Sequence, residues 1–431
     1  MSAEFEVQGI GVTQLAEQYG TPMFLYDGNE LGSRLTGLKQ RLHPSMEIFF
    51  SLKSNPNVSI CALLHAHGAR AEVSSMAELL TAREAGVEPG DIMFLGPGKS
   101  RAEVAACLDE GIYAIICESF GELAHIDELA RARGKTANVV LRVNPSFAVK
   151  GSGLTMGGKP RQFGIDEEQL FAATDLAHRH ANVRLMGVQV YMGTRILDEE
   201  PIVENTRRIF ALAEQLSQRL GFPLELVDVG GGLGIAYFDG ERDLDIDLLT
   251  SRLNPVIDDF AGRHPDTRLV MELGRFLTAV SGTYVVRVQY VKTSLGHNFA
   301  VADGGTNHHM AAVGIGSYVK RDFPMRLLNR IDEPATESWS ITGSLCTPND
   351  VLGKKIAMPP VRPGDLVGVH RSGAYGPTAS PVLFLGHGYP AEVLVYNGQS
   401  YLISERDRPA DLLRRQHLHH VAALTTAGTD A

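Results

Sequence analysis

The sequence has few of the features that mark secreted, membrane-spanning or nucleic-acid-binding proteins. Its four cysteines lie far apart and form no C-x-x-C pair, which argues against a disulfide framework and against a zinc site. No apolar run approaches the roughly 18 residues that cross a bilayer, and the acidic start lacks the positive segment of a signal peptide. The net charge of -10 disfavours nucleic acid as a partner. We therefore expect a cytoplasmic protein that binds neither membranes nor nucleic acids.

Two nucleotide-binding motifs are also absent. The glycine-rich segment 230–234 is followed by Tyr237 at the position where a dinucleotide-binding fingerprint requires its third glycine. The Gly-Lys pair at 98–99 lacks the preceding glycine of a P-loop, because Met93 occupies that position. Neither NAD nor ATP is therefore predicted as a ligand.

The middle of the chain alternates between two patterns. Short runs of β-branched and aromatic residues are separated by longer amphipathic stretches, as strands and helices alternate in α/β proteins. The runs, which we predict to be strands, span residues 46–54, 69–75, 91–96, 113–118, 138–145, 184–193, 224–232 and 268–275. Eight strand and helix units over about 250 residues favour a closed parallel (β/α)₈ barrel over an open doubly wound sheet. A helical stretch at 28–43 precedes the first run, so the barrel should begin with a helix.

The pattern changes after residue 278. Strand-like runs now follow one another with Gly, Pro and Asn turns and with little helix between them. We predict two domains, a barrel that spans 28–278 and a β-rich domain formed by 1–27 with 279–431. The tail from residue 414 is rich in histidine but has no matched cysteine or carboxylate ligand, so we interpret it as a short solvated helix and predict no metal site.

Two loops of the predicted barrel suggest an anion site. In such barrels the active site lies at the carboxyl ends of the strands, and phosphate commonly binds in the loops after strands seven and eight. The loop 230–234 reads Gly-Gly-Gly-Leu-Gly after strand seven, and Gly274 and Arg275 follow strand eight. Glycine lets backbone N–H groups approach an anion closely. A glycine cluster alone also fits a tight turn, but the two loops together predict a phosphate site.

Lys53 and Glu272 lie at the same predicted rim. Lys53 follows the apolar part of strand one, where desolvation and cationic neighbours lower an amine's pKa and let it form a Schiff base with a carbonyl. The alternative is a surface lysine whose stem lies along apolar surface. Glu272 ends strand eight and pairs either with a ring nitrogen or with a cation at the rim. An amine, a carboxylate and a phosphate site together describe a pyridoxal phosphate site.

Seven short motifs add a family resemblance. They are SLKSNPN around Lys53, RVNP at 142–145, QFGI at 162–165, GGGLG at 230–234, ELGR at 272–275, GSLC ending at Cys346 and GAYG around Tyr375. With these motifs in this order, the chain from about residue 20 to 400 resembles the fold-type III pyridoxal phosphate decarboxylases, the group of diaminopimelate and ornithine/arginine decarboxylases.

The resemblance implies a role for each matching residue. Lys53 is implied to bind the aldehyde of pyridoxal 5'-phosphate, Glu272 to pair with its pyridine nitrogen, and Tyr191 to stack on its ring where the family usually has histidine. The residues implied to hold the phosphate are Gly231, Gly232, Gly274, Arg275 and Tyr375. A head-to-tail homodimer is also implied, in which Cys346 of the partner subunit donates a proton after carbon dioxide leaves. The alternative interpretation is that Cys346 has no role in the reaction and is a small buried hydrophobic residue, as free cysteines usually are.

Departures from the diaminopimelate decarboxylases concern the substrate. Thr347 follows Cys346, where the family usually places an acidic residue that grips a distal ammonium group. The segment 377–384 after GAYG is apolar, where the family segment is rich in Asn and Tyr. Leu273 replaces the usual proline in the ELGR motif, a change that the backbone should tolerate.

These departures resemble a subgroup that decarboxylates glutamyl attached to an acyl carrier protein. The segments MGGKPRQFG at 156–164 and DGGTNHH at 303–309 strengthen that resemblance. The candidates for lining an entrance for a phosphopantetheine arm are Lys159, Arg161, His308 and His309. Each of them fits an ordinary polar loop as well.

The expected reaction is removal of the α-carboxylate of an L-amino acid, free or tethered to an acyl carrier protein. One alternative is a diaminopimelate decarboxylase that makes L-lysine. Racemisation on the same cofactor is a second alternative, which Glu272 opposes because racemases of this fold favour an arginine there. A third alternative is a non-catalytic homologue that binds pyridoxal phosphate and a protein partner.

Overall fold

The computed structural model describes residues 3–148, 154–155, 157–313 and 321–418. The strands are β1 (Glu6–Val7), β2 (Ile10–Gly11), β3 (Met23–Asp27), β4 (Met46–Ser51), β5 (Arg70–Val73), β6 (Ile92–Phe94), β7 (Ala114–Cys117), β8 (Ala137–Asn144), β9 (Leu154–Thr155), β10 (Ile165–Asp166), β11 (Val183–Gln189), β12 (Gly193–Thr194), β13 (Leu226–Gly231), β14 (Arg268–Leu273), β15 (Gly282–Ser294), β16 (His297–Ala302), β17 (Met325–Leu327), β18 (Glu337–Thr342), β19 (Val351–Met358), β20 (Leu366–His370), β21 (Ala391–Tyr396) and β22 (Gln399–Ser404). The α-helices are α1 (Val12–Tyr19), α2 (Gly28–Arg41), α3 (Val58–Ala66), α4 (Met76–Glu84), α5 (Arg101–Glu110), α6 (Phe120–Ala132), α7 (Glu167–Ala172), α8 (Leu176–Arg179), α9 (Glu199–Leu220), α10 (Ile246–Arg263) and α11 (Arg275–Thr278).

Eight parallel strands close into a barrel. Their order is β8, β11, β13, β14, β4, β5, β6 and β7, and β7 pairs again with β8. This last pairing confirms the predicted (β/α)₈ barrel and excludes the open sheet, because an open sheet leaves two edge strands unpaired. Helix α2 contacts both α3 and α10, so it completes the ring of helices from the amino-terminal side, as the sequence predicts.

Local sequence signals explain the bounds of the barrel helices. Ser100 begins α5 with a capping box, since its hydroxyl accepts the backbone N–H of Glu103 while the Glu103 carboxylate accepts the Ser100 N–H. Gly111 ends the same helix in the left-handed conformation, which glycine adopts without strain. Apolar residues three and four apart give α9 a continuous buried face, where Phe210 stacks on Phe260 of α10 at 4.1 Å between ring centroids.

The barrel interior is built in layers, because side chains of a strand alternate between its two faces. The apolar layer consists of Phe49, Met93, Leu95, Ala114, Ile116, Val140, Met186, Leu226 and Val270. Two residues further along four of these strands, the buried side chains are Ser51, Arg142, Asp228 and Glu272. The change from apolar to polar residues within one pleat places a charged layer at the carboxyl end of the barrel.

A mixed sheet forms the β-rich region. Strand β3, which precedes the barrel in the chain, lies between β15 and β21 and pairs antiparallel with the first and parallel with the second. The segment before the barrel is thereby joined to strands that follow it. Strand β17 pairs with β20, and β19 pairs with β18. Within the described residues, no helix has the length and apolar character needed to cross a membrane.

The predicted helix of the histidine-rich tail is only partly covered by the structure. Residues 414–418 form turn and coil and are exposed. Residues 419–431, which include His419 and His420, lie outside the described residues, as does Met156 of the MGGKPRQFG segment.

Candidate active site

Lys53 lies in a single turn directly after β4, at the carboxyl end of the barrel. Its side chain is 36% exposed, and its Nζ lies 3.4 Å from Glu72 Oε2 at the end of the neighbouring strand β5. The same Nζ lies 5.6 Å from the ring centroid of Tyr191, which follows β11. The amine is therefore held between a buried carboxylate and an aromatic face, and it does not extend freely into solvent.

The pKa of Lys53 differs from the sequence prediction. Burial lowers the pKa of the amine, but the carboxylates of Glu72 and Glu272 raise it by more, so that the pKa lies above its ordinary value. The prediction of a lowered pKa was wrong because the groups that surround this amine carry negative charge. Lys53 is consequently an ammonium ion at neutral pH until a ligand changes its surroundings.

Glu272 lies on β14 and is almost completely buried. Gln189 Nε2 donates a hydrogen bond of 3.2 Å to Glu272 Oε1, whereas Oε2 has no partner among the described residues. Burial and the nearby Glu72 raise the pKa of Glu272, and Lys53 and Arg142 oppose that rise. A buried carboxylate with an unpartnered oxygen can accept a hydrogen bond from a ligand.

The glycine loops approach the Lys53 turn closely. Gly230 and Gly232 have φ angles of 67° and 94°, in the left-handed region that favours glycine. A Cβ on Gly232 would lie 2.3 Å from the carbonyl oxygen of Gly193, and a Cβ on Gly274 would lie 2.8 Å from Ser54 Cβ. Gly231 pairs in register with Glu272. The loop after β13 is thus adjacent to the end of β14, and Gly274, which follows β14, lies against the turn that carries Lys53.

Arg275 supplies a cation at these loops. Its guanidinium lies 4.6 Å from the ring centroid of Tyr375, and its Nη1 donates a hydrogen bond of 2.9 Å to the hydroxyl of Tyr237. Its buried Nε has no acceptor in the part of the chain that the structure describes. The Tyr375 N–H in turn donates to the Ser54 carbonyl at 2.7 Å, which fixes the β-rich region against the Lys53 turn.

This arrangement fits pyridoxal phosphate. The cofactor presents an aldehyde, a ring nitrogen and a phosphate, and the site offers an amine, a carboxylate oxygen without a donor and a guanidinium N–H without an acceptor. A cavity of about 390 Å³ adjoins the Lys53 turn and is lined by residues that include Ser54, Asn55 and the segment Gly376 to Thr378. The start of the apolar segment 377–384 therefore lines this cavity.

Cys346 lies in the β-rich region, on the loop after β18, and it is exposed. Asp350 holds this loop, since it accepts hydrogen bonds of 2.8 Å from the backbone N–H groups of Leu345 and Thr306. Exposure is at odds with the alternative of a buried hydrophobic residue. That description fits the other three cysteines, Cys61, Cys107 and Cys117, which are buried.

The two histidines of the DGGTNHH segment are interior residues. His308 lies 3.1 Å from the Tyr284 hydroxyl through Nδ1, and His309 lies 2.7 Å from Ser372 Oγ through Nε2. Burial lowers the pKa of His308 to about 4 and that of His309 to about 3. These two side chains do not line a surface entrance, in contrast to that prediction. The other two candidates for the entrance, Lys159 and Arg161, are exposed.

Several residues of the site were not singled out from the sequence for it. They are Glu72, Arg142, Gln189, Asp228 and Tyr237. The first four interrupt apolar strands with a polar residue, and such an interruption one pleat beyond the apolar layer is the signal that would have found them. Tyr237 lies beyond the glycine loop, and no local signal indicated its bond to Arg275.

Comparisons with known proteins agree on one enzyme family. The model of the pyridoxal binding domain of pyridoxal-dependent decarboxylases matches residues 29–279. The L-glutamyl-[BtrI acyl-carrier protein] decarboxylase of Niallia circulans is 38% identical over 94% of this chain and 96% of its own length. The diaminopimelate decarboxylase of Haemophilus influenzae is 30% identical over 93% of this chain and 94% of its own.

Solved structures extend the similarity to the whole fold. The diaminopimelate decarboxylase of M. jannaschii in co-complex with L-lysine superposes with a TM-score of 0.87 at 27% identity, and the match covers 96% of each chain. The enzyme of Helicobacter pylori complexed with L-lysine gives a TM-score of 0.83 at 26% identity. Both matches include the barrel and the β-rich region, which confirms the predicted fold class.

Proposed function

The chain belongs to the family of pyridoxal-dependent decarboxylases, and we propose that it removes the α-carboxylate of an L-glutamyl group attached to an acyl carrier protein. Family membership confirms the resemblance drawn from the motifs, the decarboxylase activity and pyridoxal 5'-phosphate as the cofactor. The enzyme is thus a carboxy-lyase, and the proposal concerns its substrate, its partners and the roles of its residues.

One observation carries the substrate proposal. Over almost the same share of the chain, identity to the carrier-protein glutamyl decarboxylase is 38%, and identity to the Haemophilus influenzae diaminopimelate decarboxylase is 30%. The local sequence agrees, because Thr347 provides no charge for a distal ammonium group. The apolar segment is also exposed at Leu383 and Phe384. A substrate whose distal end is an uncharged linkage needs no acid at that position.

We assign the cofactor-binding roles to the residues that the site brings together. Lys53 binds the aldehyde, Tyr191 covers one face of the ring, and Glu272 accepts the proton of the pyridine nitrogen in a hydrogen bond. The phosphate is held by Gly231, Gly232, Gly274, Arg275 and Tyr375. The ion pair of Arg275 with the phosphate is charge-assisted, and the Tyr237 hydroxyl keeps the guanidinium in place.

The chemistry divides between the cofactor and the chain. When bound, the cofactor supplies an electron-withdrawing ring that accepts the electron pair released as the carboxylate leaves. Glu272 keeps the proton on the ring nitrogen, which strengthens that withdrawal. Glu72 would hold Lys53 as an ammonium ion whenever its amine is not bound to the cofactor, since the two groups are 3.4 Å apart. Burial of Glu72 and Glu272 excludes water and strengthens both interactions.

The remaining proton donor is proposed to come from a second copy of the chain. Cys346 is exposed within one subunit, which suits a thiol that serves the other site of a homodimer. In this arrangement Cys346 of the partner subunit protonates Cα after carbon dioxide has left. The division into a barrel of 28–278 and a β-rich domain of 1–27 with 279–431 belongs to the same proposal, and the cytoplasmic location remains a prediction from the sequence.

Mass spectrometry of a mixed substrate pool tests the proposal. The purified protein, supplied with pyridoxal phosphate, is incubated with free glutamate, free diaminopimelate and a glutamyl group loaded on an acyl carrier protein. We expect loss of carbon dioxide from the carrier-bound glutamyl group, and none in a matched reaction with Lys53→Ala. Conversion of free glutamate at an equal rate would show that the carrier is not recognised.

Diaminopimelate decarboxylation is the second candidate. It is favoured by the close superposition on an enzyme that was solved with L-lysine. Formation of L-lysine from the same pool, with the carrier-bound glutamyl group unchanged, would establish this activity in place of the proposed one. A protein that binds the cofactor but converts no member of the pool would support the non-catalytic alternative.

A further inference from the structure

Asp228 is a fully buried carboxyl group inside the barrel, beside Glu272. It lies on β13, between β11 and β14, and it pairs in register with Gln189 of β11. Gly231, three residues further along β13, pairs with Glu272 of β14. Three adjacent strands therefore bring an amide and two carboxyl groups together below the predicted position of the cofactor ring.

The hydrogen bonds of the two carboxyl groups are incomplete. Asp228 Oδ1 accepts the Gly230 N–H at 2.8 Å, and Glu272 Oε1 accepts from Gln189 at 3.2 Å. The second oxygen of each group, Oδ2 of Asp228 and Oε2 of Glu272, has no donor within the described ranges. Since β13 lies between β11 and β14, the hydrogen bond from Gln189 to Glu272 spans the strand that carries Asp228, which places the two buried carboxyl groups side by side. Two adjacent buried carboxyl groups whose second oxygens lack donors can satisfy each other only if one of them carries a proton.

The surroundings decide which group holds the proton. Burial raises the pKa of Asp228, and the negative charges of Glu272 and Glu72 raise it further. Burial and Glu72 also raise the pKa of Glu272, but the positive charges of Lys53 and Arg142 oppose that rise. The cations thus favour the ionised form of Glu272, and the proton belongs on Asp228.

Within the part of the chain that the structure describes, five other charged or titratable groups surround the pair. These groups are Lys53 after β4, Glu72 on β5, Glu118 after β7, Arg142 on β8 and Tyr191 after β11. Arg142 is itself bound to Glu118 at 2.9 Å, so it is only partly available to Glu272. Four carboxyl groups therefore share two cations in this cluster, and this excess of negative charge favours the neutral form of a carboxyl group there.

We propose that Asp228 is a positioning residue that stays protonated at neutral pH and donates its proton in a hydrogen bond to Glu272. The donated hydrogen bond keeps Glu272 ionised and correctly oriented inside a buried site, where a carboxylate without donors would itself take up a proton. This inference rests on the proposed role of Glu272 at the pyridine nitrogen, because an ionised Glu272 is what that role requires.

Infrared spectroscopy of the full-length protein tests where the proton lies. We expect a carboxylic-acid carbonyl band at neutral pH that shifts when aspartate is labelled with ¹³C and that is missing in Asp228→Asn. The matched control is Asp303→Asn, which changes another aspartate that burial gives a raised pKa, but in the β-rich region. The control should retain the band of Asp228. A band that shifts with labelled glutamate and persists in Asp228→Asn would place the proton on Glu272 and overturn the inference.

Cofactor affinity tests whether the hydrogen bond matters for the site. The amide of Asp228→Asn can still donate to Glu272, so its dissociation constant for pyridoxal phosphate should stay within about threefold of the wild type. Asp228→Leu has no donor and should bind the cofactor roughly 10- to 100-fold more weakly, which is the effect of losing a hydrogen bond to a charged group. Equal losses in the Asn and Leu variants would indicate a packing role and would contradict the proposal.

The two tests separate this inference from the proposed function. The infrared measurement is made before and after pyridoxal phosphate is added and needs no turnover. A wild-type protein that shows the Asp228 band but decarboxylates no substrate would count against the proposed function alone. A wild-type protein that is active but lacks the band would count against the inference alone.

Discussion

At the amino end of the barrel, Arg268 donates to both oxygens of Glu47 at 2.9 and 2.8 Å, and Arg70 pairs with Glu47 and Asp91. At the carboxyl end, Glu72, Glu118, Asp228 and Glu272 share two cations, Lys53 and Arg142. Arg268 and Glu272 belong to the same strand and are separated by Val270 of the apolar layer. The same strands thus carry charged residues at both ends, but the ratio of cations to carboxyl groups differs between the two ends.

The ratio of cations to carboxyl groups distinguishes a structural ion-pair network from a binding site. The amino-end network has two cations for two carboxylates, and each group has a partner. In the cluster around Glu272 at the carboxyl end, four carboxyl groups share two cations, and one oxygen each of Asp228 and Glu272 has no donor among the described residues. A buried charge without a partner lowers the stability of the folded protein. Such charges occur at sites where a bound ligand or a proton supplies the missing partner. The amino end should therefore govern stability, and the carboxyl end should govern binding and turnover.

The largest effect on activity should come from Lys53→Ala. Loss of the amine removes the covalent attachment of the cofactor, and turnover should fall by roughly 1,000-fold or more. Reduction with borohydride followed by peptide mapping should label Lys53 in the wild type and no lysine in the variant. An active, borohydride-labelled Lys53→Ala protein would break the assignment of the carboxyl end as the binding site.

The next effect is that of Glu272→Gln, which should lower kcat roughly 100-fold or more because an amide cannot hold a proton on the pyridine nitrogen. The absorption spectrum of the bound cofactor should change as well. Glu47→Gln is the same chemical change at the amino end and should leave kcat near that of the wild type. If both variants lost activity equally, the two ends would not differ as described.

Arg268→Ala should affect stability more than function. The guanidinium makes two hydrogen bonds to Glu47 and lies over the Tyr113 ring at 4.2 Å, so its loss should cost about 2 kcal/mol of unfolding free energy. Chemical denaturation measures this change, and the dissociation constant for pyridoxal phosphate should remain unaltered. The exposed pair of Arg101 with Glu128 offers a control, and Arg101→Ala should shift the denaturation midpoint much less.

The smallest effect that we expect is a pH-dependent increase in stability in the variant Glu78→Gln. Burial raises the pKa of Glu78 to about 7, the Ser74 N–H lowers it and the negative charge of Glu72 raises it. A raised acid pKa in the folded state means that stability is lost as pH rises from about 4.5, the unfolded value, to about 7. The variant lacks this charge and should be more stable than the wild type by about 1 kcal/mol at pH 8, but not at pH 4.

Denaturation midpoints at the two pH values measure the gain. Glu84→Gln, on the exposed face of the same helix, controls for removal of one negative charge from the surface of α4. A difference between Glu78→Gln and the wild type that does not vary with pH would show that surplus negative charge at the carboxyl end has no measurable cost.

Much of the fold could be predicted because its signals are local. Each of the eight apolar runs overlaps one barrel strand, although β8 and β11 begin one residue before their runs, and the stretch 28–43 contains α2. Strand β3 pairs with β15 and β21, which lie far from it in sequence, so its place in the mixed sheet depends on contacts that no local pattern indicates. Strand β19 reads VLGKKIAM, whose glycine and paired lysines obscure the alternation of a strand.

The site was only partly predictable for a similar reason. Lys53 and Glu272 could be proposed because each ends an apolar run at the expected rim. Asp228 was hidden within the run before the glycine loop, and its significance depends on the neighbouring strand that carries Glu272. The direction of the Lys53 pKa was mispredicted because the charges around the amine are brought there by barrel closure.

The hydrogen bond from the Tyr375 N–H to the Ser54 carbonyl has a consequence for how the enzyme can be divided. It places a loop of the later sheet directly on the turn that carries the reactive amine, and the Asn55 amide adds a second bond to the Gly373 carbonyl. A barrel excised at residue 279 would lose the residues that form one wall of the cavity. The surroundings of the reactive amine are therefore built by both parts of the polypeptide. A chimera made with a relative must exchange the barrel and the later sheet together.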